Sequence, residues 1–291
     1  VADAVTTAAD RLAPALRRAL TRAFALLTGR VPLEDLARAV DTGRLTPRLD
    51  AALRALPALL RAEVGPVVEA AVRAGVRASA AAIRDAARAT RTRATVPPSA
   101  FTQVNERAVA RAASKATASL VRRASAGTRQ AVRVAVRDAV AGVEGKASAQ
   151  AAARTIRGVI GLDPRRAGAV ATLRRRLVKQ GEDPARVAAK TEAYAGRLLR
   201  QRASTIARTE ILGASNEGRL AAWRAAQDKG LLREGQRRTW VVTEDDRLCP
   251  ACEAMDGQTV DLGEPFESED GPVDAPPLHP NCRCTTVLEK S

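Results

Sequence analysis

"CPACEAMDG" (Cys249–Gly257) and "PPLHPNCRC" (Pro276–Cys284) hold all four cysteines of the chain and its only histidine. Cys249 and Cys252 form a C-x-x-C knuckle, a spacing that lets two thiolates reach one tetrahedral zinc. His279 and Cys282 repeat that separation, and Cys284 stands two residues further on. Zinc takes four ligands and five donors are offered. If residues 282–284 are extended, Cys282 and Cys284 point to the same side, so both can approach the ion and the choice between them stays open. A thioredoxin-like reading of "CPAC" needs a βαβ context and has no use for the distal His-Cys-Cys group, and two disulfides are the other alternative. A structural Zn2+ is the expectation, because Cys-rich sets of four are closed, whereas a catalytic zinc keeps a position open for water. A single histidine also excludes two-histidine metalloprotease motifs and most His-metal nuclease arrangements.

The cluster divides the chain. Upstream, Ala, Leu, Arg and Glu dominate, and Gly and Pro fall at separations suited to helix ends. Breaks are expected around Gly29–Pro32, Asp41–Pro47, Gly65–Pro66 and Val96–Ser99, and a long helix from about Thr102 to Ala141. "GLDPRRAGAV" and "GEDPARVAAK" are helix starts, with Asp163 or Asp183 as N-cap and Pro164 or Pro184 at the first helical position. The first of these helices should end at Gly181, and the second should run towards Gly230 with room for an interruption. After Gly235 the texture changes: "RRTWVVT", "GQTVDL" and "CRCTTVLE" read as strands, and the acidic, Gly/Pro-rich stretch between Gly263 and Pro277 as a loop. The fold class is therefore mainly α, an extended helical bundle or stalk with a small C-terminal α+β zinc-binding module. The expected divisions are an N-terminal helical region (1–96), a long basic helix (97–147), a further helical part (148–235) and the Cys/His module (236–291). A module this small, with little apolar core, is where a metal staple helps most.

Charge splits along the same line. From Val241 to Ser291 there are 12 acidic and 3 basic residues, a net of −9; subtraction from the totals of 48 basic and 32 acidic leaves +25 for residues 1–240. A basic body suits a polyanion such as nucleic acid. The plainer reading is Arg solvated on helix surfaces, since 42 of the 48 basic residues are Arg. Six aromatic residues, none clustered in the basic body, supply no platform for base stacking, so duplex DNA contacts would go to phosphates without sequence preference. Arg122, Arg129, Arg133 and Arg137 share one face of the long helix and are the DNA-facing candidates, with a solvated face as the alternative. No apolar run approaches a membrane span, and the N-terminus lacks the pattern of a secretory signal, so no membrane partner and a cytoplasmic start are expected.

Within "STIARTEILGASNEGRLAAW" (Ser204–Trp223), Thr209, Gly213, Asn216 and Leu220 fall on one helical stripe. Gly213 permits close backbone approach and Thr209 and Asn216 offer hydrogen bonds, which suggests a docking face, with an ordinary helix carrying a tolerated glycine as the equal alternative. Asp245, Asp246, Glu253 and Asp256 could hold a hard cation, though a solvated acidic loop is the better expectation. Nothing assembles a nucleophile, base and orienter, and no phosphate-binding glycine loop is present, so the chain is not read as an enzyme.

"IARTE" with a downstream "SN-G", then Trp240, "DRLCPAC" and "MDG", then a Pro-rich approach to "HPNCRC", resembles the phage Mu F-like head morphogenesis family over roughly residues 150–288. The resemblance implies a structural minor capsid protein of the virion. Such a protein would associate with portal protein at the portal vertex in few copies and act in capsid assembly and genome packaging or ejection. It would be made in the host cytoplasm and then sit in the capsid interior or at the vertex. Capsid or scaffold proteins, packaged double-stranded DNA and a second copy in a homo-oligomer are further expected partners. By motif, Arg208, Thr209, Glu210 and Asn216 are the characteristic docking-helix positions. The alternative is a non-specific DNA-binding packaging protein with a structural zinc tail, and the third reading is a metal-dependent nuclease.

Overall fold

The computed structural model describes residues 4–89, 106–140 and 146–289. Among them the chain is mainly helical, with a small strand region at its C-terminal end. The helices are α1 (Ala4–Gly29), α2 (Leu33–Thr42), α3 (Pro47–Ala89), α4 (Glu106–Val140), α5 (Lys146–Gly158), α6 (Pro164–Lys179), α7 (Pro184–Asp228) and the short α8 (Pro250–Glu253). The strands are β1 (Arg237–Val241), β2 (Thr259–Asp261), β3 (Phe266–Ser268), β4 (Gly271–Val273) and β5 (Thr285–Leu288).

The local chemistry accounts for most of these ends. Gly43 closes α2 in the left-handed region at φ 68°, and the Thr46 hydroxyl accepts the Leu49 N–H at 3.1 Å at the start of α3. Asp163 accepts the Arg166 N–H at 3.0 Å ahead of Pro164. Asp183 accepts from Ala185 and Arg186 at 2.9 and 3.1 Å. From there α7 runs to Asp228 without interruption.

Two expectations are corrected. No break occurs at Gly65–Pro66, because α3 passes straight through. Proline disfavours helix in the residue before it by a clash with that residue's Cβ, which Gly65 lacks. Pro66 and Ala62, whose carbonyl loses its partner, are both exposed to water. The stretch expected as loop after Gly263 contains the antiparallel hairpin β3–β4, with Phe266 opposite Val273. The expected break at Val96–Ser99 and the ends of the long helix, at Thr102 and Ala141, lie outside the described residues; between them α4 is helical as expected.

The chain clusters into two compact units, and α1, α3, α4 and α7 each lend a segment to both. The first comprises Val1–Leu16, Gly65–Thr117 and Thr205–Ser291, the second Arg17–Val64 and Ala118–Ser204. In the first, α3 and α7 cross backbone to backbone: a Cβ on Gly75 would overlap Ser215, and one on Gly218 would overlap Val72. The Ser215 hydroxyl donates to the Ala71 carbonyl at 3.1 Å across that crossing. The second unit is organised around buried Arg202, whose guanidinium donates to the Gly161 carbonyl and the Thr128 hydroxyl. It lies 3.6 Å from the Asp163 carboxylate and 5.9 Å from the Phe24 ring centre. Burial lowers Arg202 to about 10, with Asp163 opposing the shift.

The C-terminal module belongs to the first unit. Its antiparallel sheet has the order β2-β1-β5, with Thr239 opposite Thr259 on one side and Val287 on the other. Trp240, Met255 and Phe266 form its apolar centre together with Cys252, Cys282 and Cys284. Trp240 and Phe266 meet edge to face at 5.2 Å. Fully buried Arg238 lies 4.5 Å over the Phe266 ring and donates to the carbonyls of Asp274 and Glu264.

Candidate metal centre

Three segments converge on the cysteines. Cys249 caps α8, and its sulfur accepts the Cys252 N–H at 3.4 Å. His279 brings Nε2 to 3.1 Å from the Cys249 sulfur and 3.0 Å from that of Cys252. Its Nδ1 lies 2.9 Å from the Pro280 carbonyl, which fixes the proton on Nδ1 and leaves the Nε2 lone pair facing the thiols. The Cys282 sulfur is 3.8 Å from that of Cys252 and accepts the Cys284 N–H at 3.5 Å. Two metal-competent triads result, Cys249–Cys252–His279 and Cys252–Cys282–Cys284, sharing Cys252. All four cysteines are free.

The electrostatics sort the sulfurs. A thiol hydrogen bond from Cys284, helped by backbone amides, lowers Cys282 to about 5. The Cys252 amide holds Cys249 below the usual thiol range. Burial pushes Cys252 up to about 12, and donation to Cys282 together with burial raises Cys284. Burial pulls His279 down, but the Pro280 carbonyl and the sulfurs of Cys282 and Cys249 outweigh it and raise the imidazole. The buried Trp240 indole N–H has no hydrogen-bond partner among the described residues. Soft donors, a fixed imidazole tautomer and a buried setting fit a thiophilic ion such as zinc. Among the described residues no carboxylate joins either triad. Asp245 is engaged by the Arg283 fork, which holds its carboxyl below the usual range, and Asp256 accepts the Val242 N–H at 3.1 Å.

The docking stripe of α7 faces this module. Thr209 accepts the Asn281 N–H at 3.0 Å. Gly213 leaves room for the Pro277 ring, which a Cβ would meet at 3.0 Å. Asn216 donates to the Cys284 carbonyl at 3.4 Å and accepts the Thr285 hydroxyl at 3.1 Å. The stripe thus docks the chain's own "HPNCRC" segment. Leu220, the last stripe residue, is buried; of the other motif positions, Arg208 is exposed and Glu210 is half-buried. Sequence reasoning missed Arg219, which is buried and donates to the Thr285 hydroxyl at 3.0 Å and to the Thr286 carbonyl at 2.6 Å. Its position three residues beyond Asn216 was the available signal. It also missed the Arg283–Asp245 clamp that ties the two Cys-bearing segments together.

The DNA-facing candidates lie on the second-unit segment of α4. Arg122, Arg133 and Arg137 are exposed and Arg129 is half-buried, and none forms an ion pair with a described residue. Among the described residues the second unit has 28 basic and 10 acidic side chains, a net of +18; the first has 17 and 20, a net of −3. No helix of the described residues is long and apolar enough to cross a membrane.

The family described as "Phage Mu protein F like protein" matches residues 130–287, more than half of the chain and all of the metal centre. No curated protein and no solved structure matches it.

Proposed function

Because the chain belongs to the phage Mu F-like family, we propose that it is a minor head protein, a structural component that acts at the portal vertex in head morphogenesis. The observation that carries this reading is the span of the family match. It covers the α7 stripe, the Cys/His module and the hydrogen bonds joining them, so the matched region is one physical assembly. A zinc ion held by Cys249, Cys252, His279 and one of Cys282 and Cys284 staples that assembly. Its chemistry is structural, because thiolates and imidazole close the coordination sphere. The α7 stripe is already occupied within the chain, so a portal would meet other surfaces. The test is a pull-down with assembled portal rings, in which retention on portal but not on isolated capsid lattice is expected. Binding to capsid shells alone contradicts the reading.

A second reading is favoured by the charge partition. The net of +18 among the described residues of the second unit, with a mostly exposed α4 arginine stripe that forms no ion pair with a described residue, supports non-specific binding of duplex DNA to phosphates. This is compatible with a place in the head, where packaged DNA is the available polyanion.

A further inference from the structure

We infer that the metal is held by Cys249, Cys252, His279 and Cys282, and that Cys284 stands outside the coordination sphere. The inference rests on the metal-centre reading above and assigns its fourth ligand. Sulfurs bonded to one zinc at about 2.3 Å in a tetrahedron lie about 3.8 Å apart. The Cys252–Cys282 separation is 3.8 Å, already a tetrahedral edge. Cys252 is the shared corner of both triads, so one sulfur of the second triad is needed to make four donors with Cys249, Cys252 and His279, and Cys282 is the one at a tetrahedral edge from Cys252.

The amide pattern points the same way. Cys249 accepts an N–H from Cys252 at 3.4 Å, and Cys282 accepts one from Cys284 at 3.5 Å. Each hydrogen bond places positive charge on the leading sulfur of its turn, as a thiolate ligand requires. Cys284 is fixed differently. It is 1% exposed, its carbonyl is bound by Asn216, and it abuts β5, whose first residue pairs with Val241. Cys284 is thus a positioning residue that supplies an amide to Cys282 and a seat on α7.

The test is cobalt titration of the reduced full-length chain, read by its d–d and thiolate charge-transfer absorbance. The expected wild-type result is one cobalt per chain with three-thiolate intensity. Cys284→Ser should keep that spectrum and bind within about a hundredfold of wild type, the range of an outer partner. Cys282→Ser should lose more than about a hundredfold in affinity, and Cys282→His should restore tetrahedral bands at two-thiolate intensity. Circular dichroism of each variant separates lost ligation from a lost fold, and retention of the wild-type three-thiolate spectrum by Cys284→Ser decides the matter even if Cys282→Ser fails to fold. Four-thiolate intensity, two cobalt ions per chain, or loss of metal in Cys284→Ser but not Cys282→Ser overturns the assignment while leaving a metal centre in place. No uptake by the wild-type chain overturns the centre and the assignment together.

Discussion

Asn216 has both ends of its amide engaged at 0% exposure, one with the Cys284 carbonyl and one with the Thr285 hydroxyl. Replacing it with Ala leaves a buried carbonyl without its donor and is expected to cost about 1–3 kcal/mol. Both tryptophans lie in the first unit, so the urea midpoint of the fluorescence transition should fall, while an unchanged midpoint would show that the seat on α7 contributes nothing. Asp245 yields a pH prediction. The Arg283 fork lowers its folded pKa, so its stabilisation is present above the unfolded carboxylate value of about 3.9 and is lost as pH falls towards the folded value. The stability difference between wild type and Asp245→Asn should therefore shrink between about pH 5 and more acidic conditions, and a constant difference would exclude the clamp. At this scale the sequence was informative about donors and less so about acceptors. Thr209 and Asn216 announce hydrogen-bonding capacity by type and spacing, but the groups they meet lie some seventy residues away in sequence. Arg219 reads as one more solvated arginine, and only burial shows otherwise.

Among the elements, the α3–α7 crossing depends on having no side chain at two positions. Gly75→Ala puts a methyl into the backbone of Ser215, and separating the helices should cost about 1–3 kcal/mol. Gly168→Ala is the control of opposite sign. Nothing lies within 4 Å of a Cβ there, and the substitution in the interior of α6 should stabilise by about 0.5–1 kcal/mol. Thermal unfolding of the two variants should move in opposite directions; a shared direction would show the crossing to be loosely packed. Helix starts were legible because Asp163 and Asp183 use local hydrogen bonds that the sequence states directly. The passage of α3 through Gly65–Pro66 was not, because a break is the local default and long-range burial of Leu60, Val64 and Val68 decides against it. The β3–β4 hairpin was hidden by acidic composition, and its specification comes from Phe266 entering the module's core.

At the scale of the molecule, charge divides between the structural units as well as along the sequence. Among the described residues the second unit is strongly basic, and the first is nearly neutral because it joins basic helices to the acidic C-terminal module. Duplex DNA binding should therefore weaken steeply with salt. Replacing Arg122, Arg129, Arg133 and Arg137 with Gln should reduce the slope of log affinity against log salt by about one for each phosphate that is no longer neutralised. An unchanged slope would mark that face as merely solvated. The role in the phage head is tested most directly by quantitative mass spectrometry of purified heads. The predicted result is this chain present in far fewer copies than the major capsid subunit and retained after free protein is washed away. Its absence from assembled heads would contradict the assignment as a minor head protein.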